Sequence, residues 1–372
     1  MRIALKNCVW ERQGDALIVL CDPSKQIELG DPDGHAEALL TALAEGPCTL
    51  PELRERLAES GIEVAHSELQ DAVSALDSIR LLEDADASGP GAPGPVGRDG
   101  RYFSNLAYFE LVATLDTSGA ELQRRLTSAH VLQLGTGGLG SNVLQNLAGL
   151  GVGRLTLLDR DIVEPRNFAR QFLYRHKDIG APKVGRAAEW IREFDPSIEV
   201  GFVERDVTSA ADVADLLGGV DLVVGGIDQP NQVDFWVNEA CVRAGVPWIR
   251  GGMIGTELLY YSVDPGRSPC LACWWTAVDA ESKGPGTDAL ATRLSAKLSR
   301  VNRGIGPAAS LIGSLVAWEA LRYLARYEPP QSAGVRVHLE TTGDCAVRRE
   351  PWPADPDCAL CRTAGAHLSV PS

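Results

Sequence analysis

The sequence predicts an α/β protein: a Rossmann-like, doubly wound and mostly parallel sheet with structural zinc, preceded by a small winged-helix-like N-terminal domain. Three observations carry this. Strand and helix patterns alternate from Ala129 onward, and a glycine-rich turn joins the first of these strands to its helix. A Gly/Pro-rich run at 87–100 sets this region apart from what precedes it.

The chain has 372 residues, long for one average domain and suited to two. The run ASGPGAPGPVGRDG at 87–100 carries almost no apolar bulk and reads as a linker, which gives domains 1–86 and 101–372. In the first, strand patterns at Val9–Trp10, Ala16–Leu20 and Gln26–Leu29 are separated by turn residues such as Gln13-Gly14-Asp15 and Asp22-Pro23-Ser24. Helical patterns cover Ala36–Ala44, run from the N-cap Thr49 through Ala58, and span Glu68–Leu81. In the last of these, Leu69, Val73, Leu76 and Ile79 form an apolar stripe.

In the second domain, strands are expected at Ala129–Leu134, Leu155–Leu158, Ile198–Val203, Val220–Val224 and Val246–Ile249. Helices are expected at Leu139–Leu150, Lys183–Phe194 and, late in the chain, Pro307–Tyr323. Parallel neighbours need crossover connections, and the intervening helices supply them.

Composition removes several functions. A net charge of -15 leaves no broad phosphate-binding face, so no nucleic-acid partner is expected. No apolar run approaches membrane-spanning length, and the N-terminus interrupts its apolar residues with charges, so neither a membrane partner nor a signal peptide is expected and the protein is placed in the cytoplasm. The odd cysteine count, nine, argues against a disulfide framework.

The chemistry gathers at the glycine turn. Gly135, Gly137, Gly138 and Gly140 follow a strand and open a helix, where backbone can approach a phosphate and free N–H groups meet it. Asp159 ends the next strand, in position for ribose hydroxyls. Arg170 and Lys183 follow, a fork and a point charge suited to a triphosphate. Asp228 ends a strand at the carboxyl edge of the sheet, where a carboxylate beside phosphates holds Mg²⁺. Cys270, Cys273, Cys358 and Cys361 form two C-x-x-C pairs that fit a closed, structural Cys₄ zinc site.

As an ordered set, GTGGLGS, LLDRDIVEPRNFARQ, GAPK and GGID closely resemble the ubiquitin-activating superfamily, in its ThiF- and MoeB-type adenylyltransferase branch. The resemblance covers roughly 101–361 and implies ATP as cosubstrate and a homodimer. It assigns ribose to Asp159 and the surroundings of the phosphates to Asn167, Arg170, Gln171 and Lys183. It makes Asp228 the magnesium ligand and Asp161 a second acidic position at the strand end.

Arg101 opens Arg101-Tyr102-Phe103-Ser104-Asn105, similar to a segment from which the family sends an arginine into the neighbouring subunit's site; Ser104 stands where that arginine would be. The crossover loop, about Thr276 to Arg303, contains no cysteine, so no thioester step is expected.

Residues 1–86 resemble the leader-peptide-binding modules of peptide-modifying enzymes. Asp228-Gln229-Pro230 and Trp236-Val237-Asn238-Glu239-Ala240-Cys241 resemble the subgroup that includes the microcin C-type adenylating enzyme. The implied function is adenylation of a carboxylate on a ribosomally made precursor peptide. Two alternatives stand beside it: adenylation of the C-terminal glycine of a small ubiquitin-like sulfur carrier protein, and a non-catalytic leader-binding scaffold.

Overall fold

A computed structural model describes residues 1–22, 24–87, 100–282 and 304–363. The chain divides into two compact units, Met1–Arg125 and Leu126–Ser372.

In the first unit, β1 (Ile3–Leu5) precedes an antiparallel meander of β2 (Val9–Gln13), β3 (Ala16–Asp22) and β4 (Lys25–Gly30). Three helices follow, α1 (His35–Ala44), α2 (Leu50–Glu59) and α3 (His66–Ser78), and β5 (Leu82–Asp84) returns antiparallel to β1. This is the winged-helix-like arrangement expected. Helix α2 starts at the anticipated N-cap: the Thr49 N–H donates to Glu52 Oε2 at 2.7 Å and the Glu52 N–H to Thr49 Oγ1 at 3.5 Å.

Helix α3 stops at Ser78, short of the expected Leu81. Arg80 takes φ 64° and the Leu81 N–H turns back to the Leu76 carbonyl at 3.0 Å, a left-handed helix ending. That reversal carries Leu81 and Leu82, both fully buried, into the turn and strand β5. The helical stripe and the strand share buried leucines, so periodicity alone ran one into the other.

The unit boundary also falls later than composition placed it. Two further helices are α4 (Phe103–Val112) and α5 (Gly119–Ser128). The segment joining them is tied to the first unit: Lys6 Nζ donates to the Ala113 carbonyl at 2.7 Å, and the Leu115 N–H to Asp77 Oδ1 at 2.8 Å. Most of the anticipated linker, 88–99, lies outside the described residues.

The second unit starts with β6 (His130–Leu134), α6 (Gly138–Leu150), β7 (Arg154–Leu158), α7 (Lys183–Phe194), β8 (Glu199–Val203), α8 (Ala210–Ala214) and β9 (Leu222–Gly225). It continues with α9 (Val233–Ala244), β10 (Trp248–Ile254), β11 (Glu257–Val263), α10 (Leu271–Ser282) and α11 (Gly306–Ala325), then β12 (Val335–Glu340), β13 (Val347–Pro351) and α12 (Ala359–Thr363). The eight-stranded sheet runs β13-β12-β11-β10-β9-β6-β7-β8. Strands β8, β7, β6, β9 and β10 are parallel, and β11 to β13 extend the sheet antiparallel.

Both faces of the central strands are covered: β6 and β9 are buried throughout, as parallel strands under helices must be. The chain winds outward through β7 and β8 and then returns to β9 on the other side of β6. This change of direction opens the crevice in which doubly wound folds bind ligands. Among the described residues no helix is long and apolar enough to cross a membrane.

Candidate active site

The glycine turn lies in that crevice. Gly135 has φ 87°, and a Cβ there would lie 2.8 Å from the Gly226 backbone, just past the end of β9. Gly140 is tighter: its Cβ would stand 1.9 Å from the Gly135 carbonyl oxygen. Backbone cannot yield as a side-chain tip can, so Gly140→Ala forces the turn open. A loss of stability of about 1–3 kcal/mol or more is expected. Urea unfolding checks it, and an unchanged midpoint contradicts the packing described.

Gly137 heads α6 and no side chain caps the helix, so its first-turn N–H groups are left for a ligand. Asp159, expected at ribose, braces the turn from below. Its Oδ2 accepts from the Thr136 N–H at 2.7 Å and from Thr136 Oγ1 at 2.8 Å, and its Oδ1 from the Asp161 N–H at 2.9 Å. The Tyr174 hydroxyl, raised above its ordinary pKa by burial, donates to the Thr136 carbonyl at 2.7 Å. Sequence reasoning did not single out this brace.

Arg170 lies across the turn: a Cβ on Gly138 would sit 3.1 Å from its Cδ and Nε. Asn167 is buried in the short 3₁₀ turn Pro165–Ala169, where its Oδ1 accepts from the Glu164 N–H at 2.9 Å. Buried Gln171 stands beside Gly137, and among the described residues neither its Oε1 nor Ser141 Oγ in the first turn of α6 has a hydrogen-bond partner. Unmet polar atoms at such positions cost about 1–3 kcal/mol each, and a bound ligand relieves that cost.

Lys183 opens α7 with its side chain only 5% exposed, and its Nζ stands 2.8 Å from Asp161 Oδ2. The Lys183 N–H also donates to the Asp161 carbonyl at 2.9 Å, which fixes the start of α7 to the end of β7. Arg170 and Gln171 therefore meet the glycines, Asn167 braces the backbone of both, and Lys183 is linked to the turn through Asp161 and Asp159. Arg101 belongs to the other compact unit, where it is exposed just before α4, as is Ser104 within that helix.

Asp228 follows β9 and is well exposed. Its Oδ1 pairs with Arg250 Nη2 at 2.9 Å, and no described residue engages its Oδ2. Arg250, on β10, also pairs through Nε with Asp234 at 3.0 Å. Burial opposes its charge, but Asp234 and Asp228 outweigh that and raise its pKa above the ordinary arginine value. Sequence reasoning missed Arg250; its signal was an arginine in Arg250-Gly251-Gly252 at the carboxyl edge of the sheet.

The two C-x-x-C pairs come together as expected. Cys270 Sγ is 3.9 Å from Cys273 Sγ and 3.8 Å from Cys358 Sγ, and Cys273 Sγ is 3.5 Å from Cys361 Sγ. Tetrahedral zinc–thiolate bonds put sulfurs about 3.8 Å apart, so this donor set can hold a zinc ion. All four sulfurs lie within 4.8 Å of one another. Hydrogen bonds from Cys273 and Cys361 pull the Cys270 thiol well below the ordinary range. The cluster adjoins the core of Trp248, Tyr261, Leu271 and Trp352.

Beside Asp228 opens a cavity of about 230 Å³, lined by Arg250, Tyr261, Trp274, Trp275, Arg336 and Trp352 among others. The tryptophans on α10 follow directly from the Cys270/Cys273 pair, so the cysteine cluster anchors one wall.

A turn of this kind, with Arg170 across it, Lys183 tied to it through Asp161 and an acid at the sheet edge, is built for a polyphosphate; the molecule is a nucleotide-binding α/β protein. The chain belongs to the ThiF family, which matches residues 108–360. It is 30% identical over 254 residues to the SAMP-activating enzyme E1 of Haloferax volcanii, covering 68% of this chain and 87% of that one. Against the molybdopterin-synthase adenylyltransferase of Escherichia coli it is 33% identical over 242 residues, 64% of this chain and 89% of the relative. Like these relatives it is an adenylyltransferase. In fold it matches E. coli MccB with a TM-score of 0.77 at 18% identity, across 100% of this chain and 99% of that one. MccB has been crystallised with ATP and with MccA.

Proposed function

We propose that this adenylyltransferase uses ATP and Mg²⁺ to activate a carboxylate of a ribosomally made peptide, held by residues 1–86, for natural-product biosynthesis. The carrying observation is Arg170 lying across the uncapped start of α6, with Lys183 linked to the same turn through Asp161 and Asp159. The likeness to MccB over the whole chain, N-terminal unit included, favours a peptide.

In this reading a carboxylate oxygen forms a bond to the α-phosphorus of ATP. The bond to the bridging oxygen breaks, and pyrophosphate leaves with the electron pair. Arg170 and Lys183 meet the charge that develops. Asn167 and Gln171 orient the phosphates, Asp159 fixes the turn and faces the ribose, and Asp161 holds Lys183 in place. Asp228 would hold Mg²⁺, which when bound neutralises phosphate charge. Cys270, Cys273, Cys358 and Cys361 would hold Zn²⁺ with no open position, a structural role. Arg101 is assigned to the phosphates of a neighbouring protomer in a homodimer. An exposed edge of the β2–β3–β4 sheet would add the peptide as a further strand.

A second reading, adenylation of a sulfur carrier's C-terminal glycine, is favoured by the similarity to the SAMP-activating and molybdopterin-synthase enzymes. ATP–pyrophosphate exchange separates the two. Short peptides encoded beside the gene should stimulate it, and a carrier ending in Gly-Gly should not. Stimulation by the carrier alone overturns the peptide reading.

A further inference from the structure

The cavity beside Asp228 has a charge balance that the adenylation machinery does not use. Arg250 is matched by Asp228 and Asp234. Arg336, on β12, is not: its guanidinium lies 4.5 Å from the centre of the Trp274 ring and forms no ion pair among the described residues. The nearest acids on its side of the sheet are occupied. Glu257 and Glu350 stand 3.0 and 3.2 Å from the ring nitrogens of His338, and Arg348 pairs with both. Burial lowers the Arg336 pKa by more than Glu350 and Glu257 raise it, so its charge is only partly met.

Trp274 and Trp352 line the cavity as well, and the Trp274 ring lies under the guanidinium. A guanidinium only donates, so a lining arginine outside any described ion pair calls for an anion that only accepts, and a carboxylate is that group.

We propose that this cavity receives the side chain of the residue whose carboxylate is activated, and that Arg336 selects an acidic side chain there, with Trp274 and Trp352 as cavity wall. The inference rests on the adenylation reading, because Asp228 then brings the reacting carboxylate to the mouth of the cavity. A carboxamide offers one acceptor oxygen and no charge, and its NH₂ would face donors. Glycine offers no side chain for about 230 Å³ of space. An acidic residue therefore marks the substrate class, against a Gly-Gly tail.

The test is ATP–pyrophosphate exchange by the full chain with N-acetyl-glutamate, N-acetyl-glutamine, N-acetyl-phenylalanine and N-acetyl-glycine as probes. Glutamate should exceed glutamine in kcat/KM by about tenfold or more, a difference of about 1.4 kcal/mol. Arg336→Gln should bring that ratio close to one, and Arg336→Lys should keep part of it. A wild-type ratio near one, or a ratio unmoved in Arg336→Gln, overturns the inference. Exchange with none of the probes also overturns it if a precursor peptide still supports exchange. If the peptide fails too, the adenylation reading itself falls.

Discussion

Replacing Lys183 with Ala lowers peptide-dependent ATP–pyrophosphate exchange by about 10²–10³-fold, Arg170→Ala has a similar effect, and the double variant falls to background. The size follows from where the charges stand. Lys183 is almost wholly buried yet its partner Asp161 is about half exposed, so the counter-ion stays hydrated. Removing the lysine therefore strands no buried charge. The fold should lose only about 1 kcal/mol, the range of pairs with one exposed partner. A large kinetic loss with a small shift in melting temperature is the signature of a phosphate-binding role. Equal losses in stability and activity would make Lys183 a structural residue.

Removing zinc is expected to have the largest effect on stability. Four thiolates that bind one ion contribute about 10–16 kcal/mol in small zinc domains, against a whole-domain stability of about 5–15 kcal/mol. The cysteines belong to the same core as Trp248, Tyr261 and Trp352, and α10 follows directly from Cys270. The double variant Cys270→Ser/Cys273→Ser should lose one equivalent of zinc by elemental analysis and fall steeply in melting temperature. Because thiolates bind the metal and thiols do not, chelators should strip it faster as pH falls. A metal-free protein of full stability contradicts this.

Much of the fold was legible because two periodicities coincide with chemistry. Helix α7 runs over Lys183–Phe194 as its pattern indicates, and β6, α6 and β7 fall within a residue of their expected limits. The antiparallel strands β11 to β13 were not legible. Glu257–Val263 is a mostly buried run without clean alternation, and Val347–Pro351 is largely exposed and polar, since an edge strand has only one neighbour to satisfy. The glycine turn, both cations and both cysteine pairs could be read from spacing. The ion pairs Asp161–Lys183 and Asp228–Arg250 could not, because each joins residues from separate elements that only the fold brings together. The crossover loop, where the absence of a cysteine argued against a thioester, lies largely outside the described residues.

In the proposed reaction a carboxylate oxygen attacks the α-phosphorus of ATP at the glycine turn. Turnover with substrate labelled with ¹⁸O in that carboxylate tests it directly. Collapse of an acyl-adenylate at the acyl carbon leaves one labelled oxygen in AMP, and mass spectrometry should find it there. Label in inorganic phosphate, with ADP as the nucleotide product, would place the attack at the γ-phosphorus and contradict the account.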